Sequence, residues 1–165
     1  SGGGGGGALG ELAINGSFET GTLSDWTIFE NMGSITVGNT EATDGTFSAR
    51  AIAMTGQNPV LKQEFRAVGT VTPGQAVTIS FDMKGTARAG GVIFPELITE
   101  GAAGSVGQLL ETIAVPTADW TTYTYTPTAG TDVTRGISLQ IAVVCGGAAD
   151  CLADVFIDNV SMTLN

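Results

Sequence analysis

The sequence predicts an all-β fold, an antiparallel β-sandwich of two sheets. Three observations predict it. No segment sustains a 3.6-residue apolar period over three helical turns, and Thr, Val, Ile and Gly dominate. Short runs that alternate apolar and polar residues recur along the chain, divided by turn-forming Gly, Pro, Asn and Asp. Most of these runs are apolar on one side only, so two stacked sheets bury them more economically than one wide sheet.

Taken in order, residues 1–10, with their run of glycines, read as a flexible linker, and residues 11–165 as a single domain. Trp26 and Ile28 alternate with Thr27 and Phe29 in a first short strand. Ile35 to Val37 is a second, ahead of the polar turn Gly38 to Gly45. Phe47, Ala49, Ala51 and Ala53 then alternate with Ser48, Arg50 and Ile52. Val60 to Phe65 precedes the Pro73-Gly74 turn. Val77, Ile79, Phe81 and Met83 alternate with Thr78, Ser80, Asp82 and Lys84. Val92 to Ile98 is the next strand, followed by a small-residue loop over Thr99 to Gly107 and a strand over Leu110 to Val115 that stops at Pro116. Trp120 to Thr126 places Tyr123 and Tyr125 on one side. Ile137, Leu139, Ile141 and Val143 alternate with Ser138, Gln140 and Ala142, and Val155 to Leu164 closes the domain. That is about ten strands, with no internal repeat and no second domain boundary.

Composition narrows the function. A chain of 165 residues suits one domain with a real core. The net charge of -10, with six basic residues, argues against binding nucleic acid, whose phosphates need a basic stripe. No apolar run approaches the ~20 residues of a membrane-spanning helix. The absence of His removes the commonest general acid/base and the commonest transition-metal ligand. An oxygen-rich, His-free chain suits Ca²⁺ instead. No P-loop and no G-x-S-x-G motif is present. With neither an initiator Met nor a signal peptide, the chain is expected to be a processed or excised domain. Cys145 and Cys151 enclose five residues and can close a small disulfide loop, a reduced pair being the alternative.

The stretch Asn15-Gly16-Ser17-Phe18-Glu19-Thr20-Gly21, followed by Leu23-Ser24-Asp25-Trp26, resembles the opening of carbohydrate-binding modules of the family 4, 9, 16 and 22 type. Three later segments fit in order: Val71 to Phe81 with its Pro-Gly and following strand, Ala118 to Tyr123 with its W-x-x-Y strand, and the closing Phe156-Ile157-Asp158-Asn159-Val160-Ser161. The resemblance covers about Ile14 to Leu164. It implies a jelly-roll sandwich, secretion, which favours the disulfide, and a covalently attached polysaccharide-degrading catalytic domain. It also implies a structural Ca²⁺. Glu19 and Asp158 match the family's shared carboxylates, and since a hard cation needs about six to eight oxygens, Ser17 and the turn Thr43-Asp44-Gly45-Thr46 are the candidates for completing the shell with backbone carbonyls. The alternatives are a solvated charge at Glu19 with a turn cap at Asp158, or a paired-carboxylate glycosidase.

The expected function is a non-catalytic, monomeric module that binds a β-linked polysaccharide in a concave groove. Neutral glucan- or xylan-like chains suit the net charge best, and an acidic polysaccharide remains open if Arg50, Lys84 and Arg88 converge. Phe29 is out of phase with Trp26 and Ile28 and is expected to be exposed; Gln140 is out of phase with Leu139 and Ile141. In the relatives, an aromatic and a Gln at these places meet sugar. Phe94 and Glu96 share one side of a strand that crosses the groove in the relatives. Gln63 matches a polar groove position, although it is in phase with Leu61 and Phe65, and Lys84 is an outward candidate. A structural or adhesive module without glycan binding is the competing reading, and a small glycosidase or lyase the third.

Overall fold

The computed structural model describes residues 10–110 and 115–165. Among these residues ten strands form: β1 (Thr27–Phe29), β2 (Ser34–Gly38), β3 (Ser48–Met54), β4 (Val60–Arg66), β5 (Val77–Arg88), β6 (Val92–Glu100), β7 (Ser105–Leu109), β8 (Thr121–Tyr125), β9 (Ile137–Val144) and β10 (Leu152–Leu164). They build two antiparallel five-stranded sheets, in the orders β1-β4-β9-β6-β7 and β2-β3-β10-β5-β8. The result is a jelly-roll sandwich. No helix among the described residues is long and apolar enough to cross a membrane.

The alternating residues of each strand meet between the sheets. Leu61, Ile93, Leu97, Ile137, Leu139, Ile141 and Val143 come from the first sheet. Ala49, Ala51, Ala53, Val77, Ile79, Phe81, Met83, Val155, Ile157 and Met162 come from the second. Tyr123 stacks on Phe81 at a centroid distance of 5.6 Å, closing the core at the β8 edge. The segment before β1 seals one end. Phe18, fully buried, stacks on Trp26 at 5.3 Å, and the Trp26 indole N–H donates to the Asn15 carbonyl. Leu12 N–H donates to Met162 O and Val160 N–H to Gly16 O, so the start of the domain lies along its last strand.

Two elements fall differently from the sequence reading. β6 runs on to Glu100, and a tight turn, with Gly101 N–H donating to Gly104 O, returns the chain as β7 over Ser105–Leu109. The loop expected over Thr99 to Gly107 is therefore mostly hairpin. The strand expected over Leu110 to Val115 is absent at Leu110 and Val115, and its residues 111–114 lie outside the described residues. Gly107 concealed the strand locally. The glycine leaves room for Glu96, since a Cβ at 107 would stand 2.5 Å from Glu96 Oε2 and the carboxylate would have to move aside.

Cys145 and Cys151 form a disulfide across the turn between β9 and β10. The loop it closes is short, so by chain entropy it stabilises the fold by only about 2 kcal/mol.

Candidate functional site

The outward side of the β1-β4-β9-β6-β7 sheet gathers most of the polar and aromatic residues of interest. Cross-strand register defines its rows. Phe29 faces Val60, Val60 faces Ala142, and Ala142 faces Phe94. One step along the sheet, Thr27 faces Lys62, Lys62 faces Gln140, Gln140 faces Glu96, and Glu96 faces Leu109. Because side chains alternate between the two sides of a strand, both rows stand on one side, away from the core. Phe29, Phe94, Glu96 and Gln140 are thus brought together in two adjacent rows. Phe29 is 45% exposed at the edge strand.

The polar row is ordered by its own contacts. Gln140 Nε2 donates to Glu96 Oε1 at 3.0 Å. The other Glu96 oxygen lies over Gly107. Lys62 pairs with Glu64 at 3.3 Å and with Glu100 at 3.6 Å. Thr27 Oγ1 donates to Glu64 Oε1 at 2.8 Å. Beneath this surface Glu100 is almost fully buried, with the hydroxyls of Ser105 and Ser138 donating to its two oxygens. Burial pushes the Glu100 carboxyl up, but the two hydroxyl donors and the Lys62 ammonium together hold it below the ordinary 4.5. Its ionised form is therefore favoured in the folded state. The stability this supplies is present above the ordinary value and is lost as pH falls through the lower folded value. Glu100→Gln should flatten the acid limb of the stability profile, as read from urea midpoints measured at falling pH. An unchanged acid limb would show that Glu100 does not contribute.

Lys62, Thr27, Glu64 and Ser138 were not singled out in the sequence. The alternation of Lys62 with Leu61 and Gln63 carried the signal for Lys62.

Two sequence candidates lie elsewhere. Gln63 points into the sandwich and is 1% exposed. Its Nε2 donates to Ile14 O, and its Oε1 accepts the Ile14 N–H. It clamps the segment before β1, as its phase with Leu61 implies, and is not available to a glycan on the outer side. Lys84 belongs to β5 in the opposite sheet, in a row with Phe156 and Arg50, where its ammonium meets Glu41 at 2.9 Å. It shares no surface with Phe29 and Gln140, because the core separates the two sheets.

A second cluster surrounds the turn Thr43–Phe47. Asp158 is fully buried and sits opposite Asp82 in the β10–β5 register. Asp158 Oδ2 accepts the N–H groups of Thr43 (2.9 Å) and Asp44 (3.0 Å), and Oδ1 accepts that of Asn159 (2.7 Å). The Thr43 hydroxyl donates to Asp82 Oδ2 at 2.8 Å. Glu19 accepts the N–H of Thr46 on Oε1 (2.9 Å) and of Phe47 on Oε2 (2.7 Å), while Ser17 Oγ donates to Asp44 Oδ2 at 2.6 Å. Gly45 allows this close grip, since a Cβ there would fall 2.3 Å from Glu19 Oε1. Thr46 thus meets Glu19 through its N–H.

Burial pushes the Asp158 carboxyl above its ordinary value. The three backbone donors oppose that rise and the nearby Asp44 charge adds to it. None of the four ion pairs among the described residues reaches Glu19, Asp44, Asp82 or Asp158. No set of three or more His, Cys, Asp or Glu side chains among the described residues is arranged to hold a metal ion. The donors are nevertheless all hard oxygens, around the buried carboxylates Asp82 and Asp158 and the exposed Glu19 and Asp44, none of which has a cationic partner among the described residues. That chemistry fits Ca²⁺ if backbone carbonyls complete the shell.

A family model described as a carbohydrate binding domain matches residues 10–143. Among solved structures, the chain is similar to TmCBM61 in complex with β-1,4-galactotriose, at 18% identity and a TM-score of 0.64, covering 94% of this chain and 99% of that one. It is likewise similar to the CBM22-1 xylan-binding domain of Paenibacillus barcinonensis Xyn10C, at 18% identity and a TM-score of 0.62, covering 90% of each chain. A third likeness is to the enzymatically active domain of bacteriophage CBA120 tailspike protein 4, at 17% identity and a TM-score of 0.68. It covers 94% of this chain but spans only 22% of that one. These likenesses show the fold. No curated protein sequence matches the chain.

Proposed function

The chain belongs to the carbohydrate binding domain family, and from that premise we propose that it is a non-catalytic module that binds a neutral β-linked polysaccharide on the outward side of the β1-β4-β9-β6-β7 sheet. One observation carries this reading. An aromatic row, Phe29 and Phe94, runs beside a polar row, Lys62, Gln140 and Glu96. Sugar rings offer apolar C–H faces to aromatic rings and hydroxyls to polar side chains, and two such rows side by side meet both needs. Three carboxylates, Glu64, Glu96 and Glu100, belong to this side and outnumber Lys62 and Arg135, which favours an uncharged chain over a polyanionic one. The structures of TmCBM61 with β-1,4-galactotriose and of a CBM22 xylan-binding domain support β-1,4-linked galactan or xylan as first candidates.

The module would serve a secreted protein, holding an attached catalytic domain near its polymer by raising the effective concentration. The disulfide suits an oxidising compartment. We also propose Ca²⁺ at the Thr43–Phe47 turn as a structural ion, with Glu19 and Asp158 as its carboxylate ligands. Bound there, the ion would offset the charge of buried Asp158 and exposed Glu19.

Affinity electrophoresis tests the main reading. Gels containing xylan, galactan or mixed-linkage glucan should retard the protein, and gels containing alginate or pectate should not. No retardation on any neutral polymer would overturn the reading in favour of a structural or adhesive module. Release of reducing ends by the isolated domain would overturn the non-catalytic assignment.

A further inference from the structure

The β4–β9 pairing changes register between Gln63, which faces Leu139, and Arg66, which faces Ile137. Glu64 and Phe65 together therefore stand against Ser138. A bulge of this kind re-aims a side chain. Strict alternation would bury Phe65 with Leu61 and Gln63, yet Phe65 is 42% exposed. Its backbone adopts φ +56°, a left-handed conformation that is unfavourable for a bulky aromatic residue. The fold therefore bears a local backbone cost here while leaving a large part of the ring open to solvent. Strain of this sort concentrates where a site needs a side chain in one place.

The ring is also held. Phe65 N–H donates to Ser138 Oγ at 3.0 Å, and Ser138 is buried and donates in turn to Glu100. The Arg135 guanidinium stands 5.4 Å from the Phe65 ring centroid, within cation–π range, and its Nε donates to Gly101 O at 2.8 Å. Ser138 lies two residues from Gln140 along β9, on the same side of the sheet, about 7 Å away at strand spacing. Ala142, in the row of Phe29 and Phe94, lies the same distance beyond Gln140 in the other direction. The polar row is thus flanked by aromatic side chains on both sides.

Resting on the proposed glycan face, we propose that Phe65, steadied by Arg135, is a stacking residue for a pyranose ring of the bound neutral glycan. It lies across the polar row from Phe29 and Phe94. The ring offers a fixed apolar surface to the C–H face of the sugar, and remaining N–H groups of the Arg135 fork suit its hydroxyls.

Titration calorimetry with β-1,4-xylose and β-1,4-galactose oligosaccharides tests this on the wild type, Phe65→Ala and Phe65→Trp. Phe65→Ala should bind at least tenfold more weakly than wild type, while Phe65→Trp should retain binding and change its indole emission on adding sugar. Circular dichroism establishes that each variant is folded; were Phe65→Ala unfolded, the Phe65→Trp emission alone would decide. Wild-type binding with unchanged affinity in Phe65→Ala, or a Phe65→Trp emission indifferent to saturating sugar, would overturn the assignment and leave the glycan face standing. Absence of binding by the wild type to every neutral polymer and oligosaccharide would instead overturn the face itself, and the subsite with it.

Discussion

Gln140→Ala is expected to weaken binding of a neutral β-linked glycan about tenfold to a hundredfold without lowering the melting temperature by more than a few degrees. Gln140 stands outward at the centre of the polar row, flanked by Lys62 and Glu96, so its amide lies on the proposed glycan face and not in the core. Its truncation removes a donor and an acceptor that sugar hydroxyls would pair with. It also releases Glu96, whose Oε1 it holds at 3.0 Å. Losing a hydrogen bond and leaving a desolvated partner unpaired costs about 1–3 kcal/mol, which is roughly that range of affinity. Gln63→Ala supplies the contrast. Gln63 is buried and satisfies both backbone polar groups of Ile14, so its loss should destabilise the domain by about 2–6 kcal/mol, the sum of two unmade bonds, and leave the affinity of the folded fraction intact. Lys84→Ala, on the far sheet, should alter neither. Calorimetric titration beside thermal melts measures all three. An affinity loss in Lys84→Ala equal to that in Gln140→Ala would place the ligand on the other sheet.

These contrasts also mark how far the sequence was readable. Alternation decides which side of its own strand a residue takes, and so the outward phase of Phe29 and Gln140 and the inward phase of Gln63 were legible from neighbours one or two residues away. Alternation does not decide which sheet a strand joins. Lys84 was outward by its own pattern, but β5 pairs with β10 and β8, contacts distant in sequence that no local run encodes. Phe65 was illegible for a different reason. The register shift that exposes it arises from the pairing with β9 and inverts what a period of two implies. β7 was hidden because the glycine that lets Glu96 lie across it also resembles loop composition. Scaffold residues such as Phe18 and Trp26 carried the family likeness most clearly, since core packing leaves a stronger mark on sequence than an outward row does.

Adding Ca²⁺ to chelator-treated protein is expected to raise the melting temperature by about 5–10 °C, and Asp158→Asn should abolish that response. The buried pair Asp158 and Asp82 faces across β10 and β5 with neutral donors, the hydroxyls of Thr43 and Thr122, the Asn159 amide and backbone N–H groups, and no ion pair among the described residues to offset two charges. Backbone donors stabilise a carboxylate, but burial and the Asp44 charge still leave the folded state disfavouring the ionised form of Asp158. A divalent cation held by Glu19 and Asp158 would offset that cost. Ligand at about 100 times its Kd adds about 2.7 kcal/mol, and for a domain of this size each kcal/mol moves the midpoint by about 2–4 °C. Asn at position 158 keeps a carbonyl oxygen for the Thr43 and Asp44 N–H groups while removing the charge. Its NH2 group cannot accept the Asn159 N–H that Oδ1 accepts in the wild type, which offsets the relief of charge, so the variant should melt near the cation-free wild type and gain little from the ion. Glu19→Gln should blunt the gain in the same way, because it withdraws the second charge; its single carbonyl oxygen can accept only one of the Thr46 and Phe47 N–H groups, so its melting point without the ion should also be lower than that of the wild type. Equal melting of the wild type in chelator and in Ca²⁺ would refute the ion site. The turn Thr43–Phe47 would then be held by the carboxylates through their backbone hydrogen bonds alone, the arrangement that Glu19 and Asp158 already make with its N–H groups.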